Sequence, residues 1–453
     1  MPDPGPARRA AFEVLTAVRE KDAYTNLALP GALRRHALSG RDAAFATELV
    51  SGTVRRQGSY DAVLSACVSR PLPDVDPAVL DALRLGVHQI LSMRVPAHAA
   101  VATTVDLVRA AVGHKPAGFA NAVLRRVADH DLPGWLRRVA PDPVVDPLGY
   151  AAVVHSHPRW VVEELAGALD VPLDSPELEA LLAAHNAPPR VTLAARPGLS
   201  TVEELVAAGG VASRISPHAV GLAGGDPSAI AAVAEGRAGV QDEGSQLVAL
   251  ALAAAPVSGH HERWLDMCAG PGGKAALLAA LAGPRSARLL ASDSQVHRAA
   301  LVASSRFGDG LLGVVAADGR VPAWRSGAFD RVLVDAPCSG LGSLRRRAEA
   351  RWRRSLADLD ELVPLQKELL TSALDSVRPG GVVAYATCSP VLAETAEVVT
   401  SVLADGSGIA LEDATPLFGD VPAPYGGPLP GTVQLWPHRH GTDAMFLALL
   451  RRQ

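Results

Sequence analysis

Leu265-Asp266-Met267-Cys268-Ala269-Gly270-Pro271-Gly272-Gly273-Lys274 is the stretch that decides the reading of this chain. Trp264-Leu265 leads in as an apolar run, and Ala275 to Leu281 leads out with helical character. Glycines and one proline lie between, which predicts a strand, a tight turn and a helix start. Glycine lets the backbone turn sharply and approach a ligand closely, and a helix N-terminus offers unpaired N–H groups. The pattern is that of the nucleotide-binding turn of a doubly wound α/β domain. It is not the dinucleotide fingerprint, because the glycines miss the G-x-G-x-x-G spacing. It is not a P-loop either: Ala275 follows Lys274 where Ser or Thr is required, and Cys268 takes the first glycine position. The plain alternative is a glycine-rich connection that binds nothing.

Working outward, the next strands sharpen this reading. An acid at the strand end, Asp266, followed by glycines suits S-adenosylmethionine, whose amino group is cationic. Ala287-Arg288-Leu289-Leu290-Ala291-Ser292-Asp293 reads as a second strand ending in an acid, 23 positions after Gly270. A separation of about 20 is where an acid meets a nucleoside ribose in such folds. Leu312 to Asp318 is a third strand ending in an acid, suited to an adenine amino group. Phe329 to Asp335 is a fourth, running into Ala336-Pro337-Cys338-Ser339-Gly340. After a helix near 358–377, Gly380 to Thr387 leads into Cys388-Ser389-Pro390. Two cysteines thus sit just past the carboxyl ends of two strands, the edge where open α/β sheets bind ligands. A lone cysteine is usually a small buried hydrophobe; two in turn residues at this edge are not.

Two cysteines and an acid suit one reaction. Carbon 5 of cytosine is a poor nucleophile, but a thiolate adding at carbon 6 turns it into an enamine carbon able to attack an activated methyl group. An acid near N3, such as Asp335, must steady the developing charge. The carbon-5 proton then leaves and the thiol is eliminated. The attacking thiol must ionise below its usual pKa of about 8.5, and the base must be unstacked or single-stranded. Spacing alone does not choose which of Cys338 and Cys388 attacks.

The rest of the chain bounds the setting. Its 453 residues allow two or three domains. A hydrophobic fraction of 48% supports real cores, and the net charge of −4 excludes a strongly basic protein. Residues 1–140 carry 18 Lys and Arg against 13 Asp and Glu, a mild positive excess. The cysteines, Cys67, Cys268, Cys338 and Cys388, form no C-x-x-C pair, which argues against a zinc site and fits a reducing cytoplasm. No apolar signal core opens the chain and no long apolar run suggests a membrane span. Residues 7–20 place Phe12, Leu15 and Val18 at helical spacing, and further helices are predicted near 41–57, 59–68, 77–92, 97–112 and 117–129. Prolines 133, 141, 143 and 147 mark 131–150 as a linker. His155 and His157 open the next helix; with no third ligand nearby, capping or packing suits them better than a metal. A strand is predicted at 189–196 inside a short α+β segment reaching about 236. Asp242 or Ser245 caps the helix that follows.

Arg41 to Val50 and Phe119 to Arg126 resemble the RNA-binding domain of the NusB family. Asp266 to Lys274, Asp335 to Gly340 and Thr387 to Pro390 resemble the RNA cytosine-5 methyltransferase family (Sun/Fmu, or NOL1/NOP2/Sun). The resemblance covers nearly the whole chain and is weakest over 141–236. It implies an all-α NusB-like RNA-binding domain at 1–140, a linker and small connecting α+β module at 141–236, and a Rossmann-like methyltransferase domain at 237–453. It implies Cys388 as nucleophile, Cys338 in product release and Asp335 on the cytosine. The implied S-adenosylmethionine contacts are Asp266, Met267, Cys268, Ala269, Gly270, Pro271, Gly272, Gly273, Lys274, Asp293, Arg298, Asp318, Asp335 and Pro337. The implied substrate is 16S ribosomal RNA, acted on by a cytoplasmic monomer without a metal. Transfer RNA, or a non-catalytic role in ribosome assembly, are the alternatives. Two departures stand out: Asp443-Ala444-Met445-Phe446 where the family has Asp-Gly-Phe-Phe, and Thr192-Leu193-Ala194 where it tends to Arg-Val-Asn. The first should affect packing and the second puts a ligand contact from the middle module in doubt. Finally, Arg345, Arg346, Arg347, Arg351, Arg353 and Arg354 follow the Cys338 loop with Trp352 among them, a pattern that suits RNA phosphates and a stacked base.

Overall fold

The computed structural model describes residues 3–406, 408–419, 421–423 and 425–453. The chain forms two compact units. One holds the chain up to Ala187 together with Leu344–Arg353; the other holds Pro188–Ser343 and Arg354–Gln453. Among the described residues, no helix is long and apolar enough to cross a membrane.

The first unit is helical. Helices Pro6–Glu20, Gly40–Arg55, Gln57–Cys67, Pro77–Leu91, Ala97–Ala111 and Ala117–Val127 follow the predicted apolar periodicity. Their stripes converge on a core that includes Leu49, Tyr60, Leu83, Leu107 and Leu124. The helix Thr25–Arg35 was not anticipated, because Pro30 lies inside it. The proline-rich stretch read as a linker carries helices Leu132–Val139 and Pro147–His155. Pro133 and Pro147 sit in their first turns, where a missing N–H costs nothing. Asp131 and Asp146 cap them by accepting from Gly134 and Gly149. Arg159–Leu169 and Pro176–His185 complete the unit. Here His157 packs on His185, with ring nitrogens 3.3 Å apart, and burial pushes its pKa well down.

The second unit contains two sheets. A small antiparallel one comprises β1 (Val191–Ala195), β2 (Gly210–Ala212), β3 (Ala219–Leu222) and β4 (Ala238–Val240), in the order β2-β3-β1-β4. Thr192, Leu193 and Ala194 lie in its buried strand β1, between β3 and β4. The large sheet comprises β5 (Arg263–Asp266), β6 (Arg288–Asp293), β7 (Leu311–Ala316), β8 (Phe329–Asp335), β9 (Val377–Thr387), β10 (Ile409–Glu412), β11 (Val433–Gln434) and β12 (Phe446–Arg452). Its order is β10-β12-β9-β8-β5-β6-β7, with β11 paired to β12. Strands β5 to β9 run parallel, and β12 and β10 close one side antiparallel. The first strand, β5, lies centrally, so the chain winds away on one side through β6 and β7 and on the other through β8 and β9. In folds of this kind ligands bind beyond the carboxyl ends of the strands at such a reversal. The central strands are apolar on both faces, as a sheet covered by helices requires: Trp264, Leu265, Leu333 and Tyr385 are fully buried.

Candidate active site

The loop after β5 is built so that only glycine fits. Gly272 stands at φ +113° and caps the helix Gly273–Ala282. A Cβ on Gly270 would lie 2.5 Å from Asp293 Oδ2. The bare backbone instead lets the Gly270 amide donate to that oxygen at 3.0 Å. Asp293 Oδ1 accepts from the Gln295 amide at 2.9 Å, and Arg298 bonds the Gly270 carbonyl. The acid ending β6 therefore fastens the glycine loop. Asp318, just past β7, is held by Arg320 through its amide and guanidinium, which keeps its carboxyl below the usual range.

Asp266 is the unusual acid. It is wholly buried; the Cys268 backbone N–H is directed toward it, but neither carboxylate oxygen completes a hydrogen bond of ordinary geometry among the described residues. Burial, reinforced by Asp335 and opposed by Lys274, pushes its pKa up to about 8. An orphaned buried carboxyl beneath a glycine cradle fits a cationic ligand group, because burying such a group without a partner costs free energy. Lys274, from the first turn of the helix, donates to Asp335 Oδ2 at 2.8 Å. Burial alone would lower its ammonium, but Asp335, Cys388 and Asp266 together hold it up.

The two sequence-predicted cysteines meet. β8 and β9 pair in parallel with Asp335 opposite Ala386, so the turns beyond them lie side by side. Cys338 Sγ lies 3.5 Å from Cys388 Sγ. The neighbouring Cys388, then burial, then Glu394 and Asp335 push the Cys338 thiol well up. Cys268, in the glycine loop, is also raised well above the ordinary range, by burial and the surrounding acids.

Residues that no motif announced hold the two turns together. Glu394 is fully buried. It accepts from the Ser339 amide at 2.7 Å, from Ser339 Oγ at 2.5 Å and from Gln366 Nε2 at 3.0 Å. Gln366 also donates to the Pro337 carbonyl at 2.8 Å, and Ser339 Oγ lies 3.1 Å from Ser389 Oγ. Gly342 then donates to the Cys388 carbonyl at 2.8 Å and accepts from the Ala444 amide at 2.9 Å. A Cβ on Gly342 would come within 2.2 Å of the Ala444 carbonyl oxygen, so the departure at Ala444 sits against the thiol loops. Asp242 caps its helix at Gly244 and also accepts from the Asp443 amide. The only sequence signals for these roles were a buried-looking Gln, Glu and Ser in apolar surroundings, and nothing paired them.

The arginine run is a correction. Arg351 is 0% exposed inside the helical unit, where its guanidinium donates to the Ser156 carbonyl and Asn186 Oδ1, both at 2.9 Å. Trp352 packs against Gly58, where a Cβ would lie 2.4 Å from the ring. Arg353 bonds the Val18, Asp22 and Ala23 carbonyls. Arg354 pairs with Asp358. Arg351, Trp352 and Arg353 are therefore structural, because backbone carbonyls and a packed ring already occupy the groups that RNA would need.

Comparison with known proteins places this geometry. The profile of the 16S rRNA methyltransferase RsmB/F family matches residues 251–451, and that of the NusB family matches residues 5–129. A Mycobacterium tuberculosis protein with a provisional methyltransferase name and no stated substrate is 54% identical over 99% of this chain and 96% of its own length. Ribosomal RNA small subunit methyltransferase B of Pseudomonas syringae is 33% identical over 98% of this chain and 96% of its own. The crystal structure of PH0851 superposes with a TM-score of 0.82 at 24% identity, covering 100% of this chain and 99% of that one. The structure of NSun6 from Pyrococcus horikoshii with SFG aligns with a TM-score of 0.54 at 17% identity, over 65% of this chain and 98% of its own. These two structural likenesses speak to the fold alone.

Proposed function

Since the chain belongs to the RsmB/F family of S-adenosylmethionine-dependent RNA cytosine-5 methyltransferases and carries a NusB-family front, we propose that it methylates carbon 5 of a cytosine in 16S ribosomal RNA. The observation that carries this reading is the pair of thiols 3.5 Å apart beyond β8 and β9, beside the Lys274–Asp335 pair. The ribosomal RNA target is supported by full-length relatives such as the one from Pseudomonas syringae named for it. In this reading residues 1–140 grip RNA, 141–236 connect, and 237–453 carry the chemistry, in a monomer working in a reducing cytoplasm.

The donor's amino group would sit at Asp266, its ribose at Asp293 with Arg298 beside it, and its adenine at Asp318. Met267, Cys268, Ala269, Gly270, Pro271, Gly272 and Gly273 would form the wall, with Pro337 at its edge. When bound, S-adenosylmethionine supplies the electrophilic methyl group that carbon 5 takes up. The protein's part begins at Cys388, whose thiolate adds to carbon 6 of the cytosine. The Lys274 ammonium favours that thiolate, since each charge stabilises the other. As the ring's electrons shift, the hydrogen-bonded Lys274–Asp335 pair steadies N3. After methylation the carbon-5 proton passes to solvent water, the C–H electron pair forms the carbon 5–carbon 6 double bond, and the Cys388–carbon-6 bond breaks with its own pair leaving on sulfur as the Cys388 thiolate. Cys338 lies close enough to the departing sulfur to exchange a proton there.

The test is methyl transfer from tritiated S-adenosylmethionine to 16S ribosomal RNA and, separately, to transfer RNA, with denaturing gels to catch adducts. Wild type should label ribosomal RNA and turn over. Cys388→Ala should neither label nor form an adduct. Cys338→Ala should trap a covalent protein–RNA species. Trapping by Cys388→Ala instead would exchange the two roles, and label on transfer RNA alone would overturn the substrate.

A further inference from the structure

The chain leaves the catalytic unit after Ser343, passes ten residues through the helical unit and returns at Arg354. Leu344, Arg345, Ala348, Glu349, Ala350 and Arg351 of this stretch are buried. Glu349 is 2% exposed and accepts from the Thr25 amide at 3.1 Å and from Thr25 Oγ1 at 3.0 Å. It thus puts a carboxylate on the N-terminus of Thr25–Arg35, where the helix dipole favours one. Arg353 does the converse, placing a cation on carbonyls at the end of Pro6–Glu20. The guanidinium carbons of Arg347 and Arg353 lie 5.1 and 5.4 Å from the centroid of the Tyr24 ring. Arg351 is the deepest member. Besides Ser156 and Asn186 it reaches the His185 carbonyl at 3.3 Å and that of Arg55 at 3.5 Å. Among the described residues no acid forms an ion pair with it, and burial, opposed only by the nearby Glu349, pushes its pKa down to about 9. A buried cation whose terminal nitrogens meet carbonyl oxygens from three separate places in the chain, with Nε left without a partner, is a costly way merely to fill space.

What this segment continues from gives it a use. Gly342, two residues before Leu344, is clamped between the Cys388 carbonyl and the Ala444 amide. Cys338 lies six residues before Leu344. We propose that Leu344–Arg353 is a positioning strap anchored by Arg351: the helical unit holds it, and through Gly342 it fixes the backbone that keeps Cys338 and Cys388 together for methyl transfer. Arg351 is a positioning residue that touches neither substrate nor thiol. The strap rests on the reading of the thiol pair as the reacting centre, and it links the unit that would grip RNA to the turns that react.

The experiment uses the full chain in four forms: wild type, Arg351→Met, Arg351→Lys, and an insertion of Gly-Ser-Gly-Ser between Ser343 and Leu344. The insertion leaves every partner of Arg351 in place and slackens only the tether. Two readouts are taken on folded protein, checked by melting temperature. The first is kcat and KM for ribosomal RNA, with S-adenosylmethionine affinity alongside. The second is capture of phenylarsine oxide, which needs two thiols held close, mapped by peptide to Cys338 and Cys388. The strap predicts that Arg351→Met and the insertion each lower kcat about tenfold or more, the scale expected when reacting groups drift by an ångström. S-adenosylmethionine affinity should stay unchanged, arsenic capture should fall, and Arg351→Lys should recover part of both losses. A folded insertion variant with wild-type kcat, or with wild-type arsenic capture, overturns the proposal. So does an Arg351→Met protein that melts earlier yet turns over normally per folded molecule. If wild type methylates no RNA, the function reading has failed, and arsenic capture alone decides the strap.

Discussion

Asp335–Gly340 and Leu344–Arg354 are separated by three residues, yet they spend their polar groups in opposite ways. In the first, strand β8 ends at a sheet edge and delivers an acid and a thiol to a neighbouring turn. In the second, a run of arginines looks made for phosphate, yet Arg345 and Arg351 turn inward and Arg351 ends up among backbone carbonyls, while Arg347 stays exposed. The lesson is about context. The carboxyl end of a parallel strand has a defined direction, so a reactive side chain there has a known address. A charge run has no such frame: Arg351 and Arg353 go to backbone carbonyls, Arg347 to the Tyr24 ring and Arg354 to Asp358.

The largest effect should come from the first stretch's partner. Cys388→Ala should cut methyl transfer by about a thousandfold or more, the loss expected of a covalent nucleophile, while leaving cofactor binding intact. A modest loss would dissolve the contrast, since the thiol turn would then be no more chemical than the arginine run. Next is Glu394→Ala. It would strand the Ser339 amide, the Ser339 hydroxyl and the Gln366 amide in a buried site. Equilibrium urea unfolding should show a loss of about 3 kcal/mol. Activity should fall further than stability does, since both thiol turns lean on this carboxylate.

Asp266 sharpens the comparison from the cofactor side. Its carboxyl is raised to about 8, so near pH 7 it is largely protonated, and meeting a cation requires it to ionise. S-adenosylmethionine affinity should therefore rise from pH 6.5 to 7.5, below the pH of about 8 at which the ligand's own ammonium loses its charge, with proton release seen by calorimetry in buffers of different ionisation enthalpy. Asp266→Asn should weaken binding and flatten that profile. The sign for stability is the reverse. The unfolded carboxyl ionises near its ordinary value of about 3.9 while the folded one keeps its proton, so the ligand-free protein should lose stability as pH rises toward 8. The smallest effect belongs to Arg354→Ala, which removes a half-exposed i,i+4 pair with Asp358. About 0.3–0.5 kcal/mol is expected, with RNA affinity unchanged. A clear fall in RNA affinity would restore an RNA role to that end of the run.

Much of the catalytic domain could be read before any coordinates. The loop at 265–274, the acids ending β6 and β8 and the cysteine beyond each of β8 and β9 all stand where the pattern of strands and turns put them. Periodicity also found most of the helices of the front unit. It failed at Thr25–Arg35, Leu132–Val139 and Pro147–His155, because a proline reads as a breaker unless one knows that it falls in a first turn or is tolerated inside a helix.

The sequence by itself determined what is encoded locally: apolar runs that become strands, glycines that alone permit the turn over Asp266, and reactive residues at strand ends. Tertiary structure decided everything that depends on which distant segments meet. Cys338 and Cys388 are 50 residues apart and Ser339 and Glu394 are 55, and they touch only because β8 and β9 pair in one register. Lys274 finds Asp335 across 61 residues, and Asp293 is drawn back 23 residues to the Gly270 amide. Arg351 reaches the Ser156 carbonyl across 195 residues. Such pairings follow from sheet order and from the need to satisfy every buried polar group, and neither can be read from a residue's near neighbours.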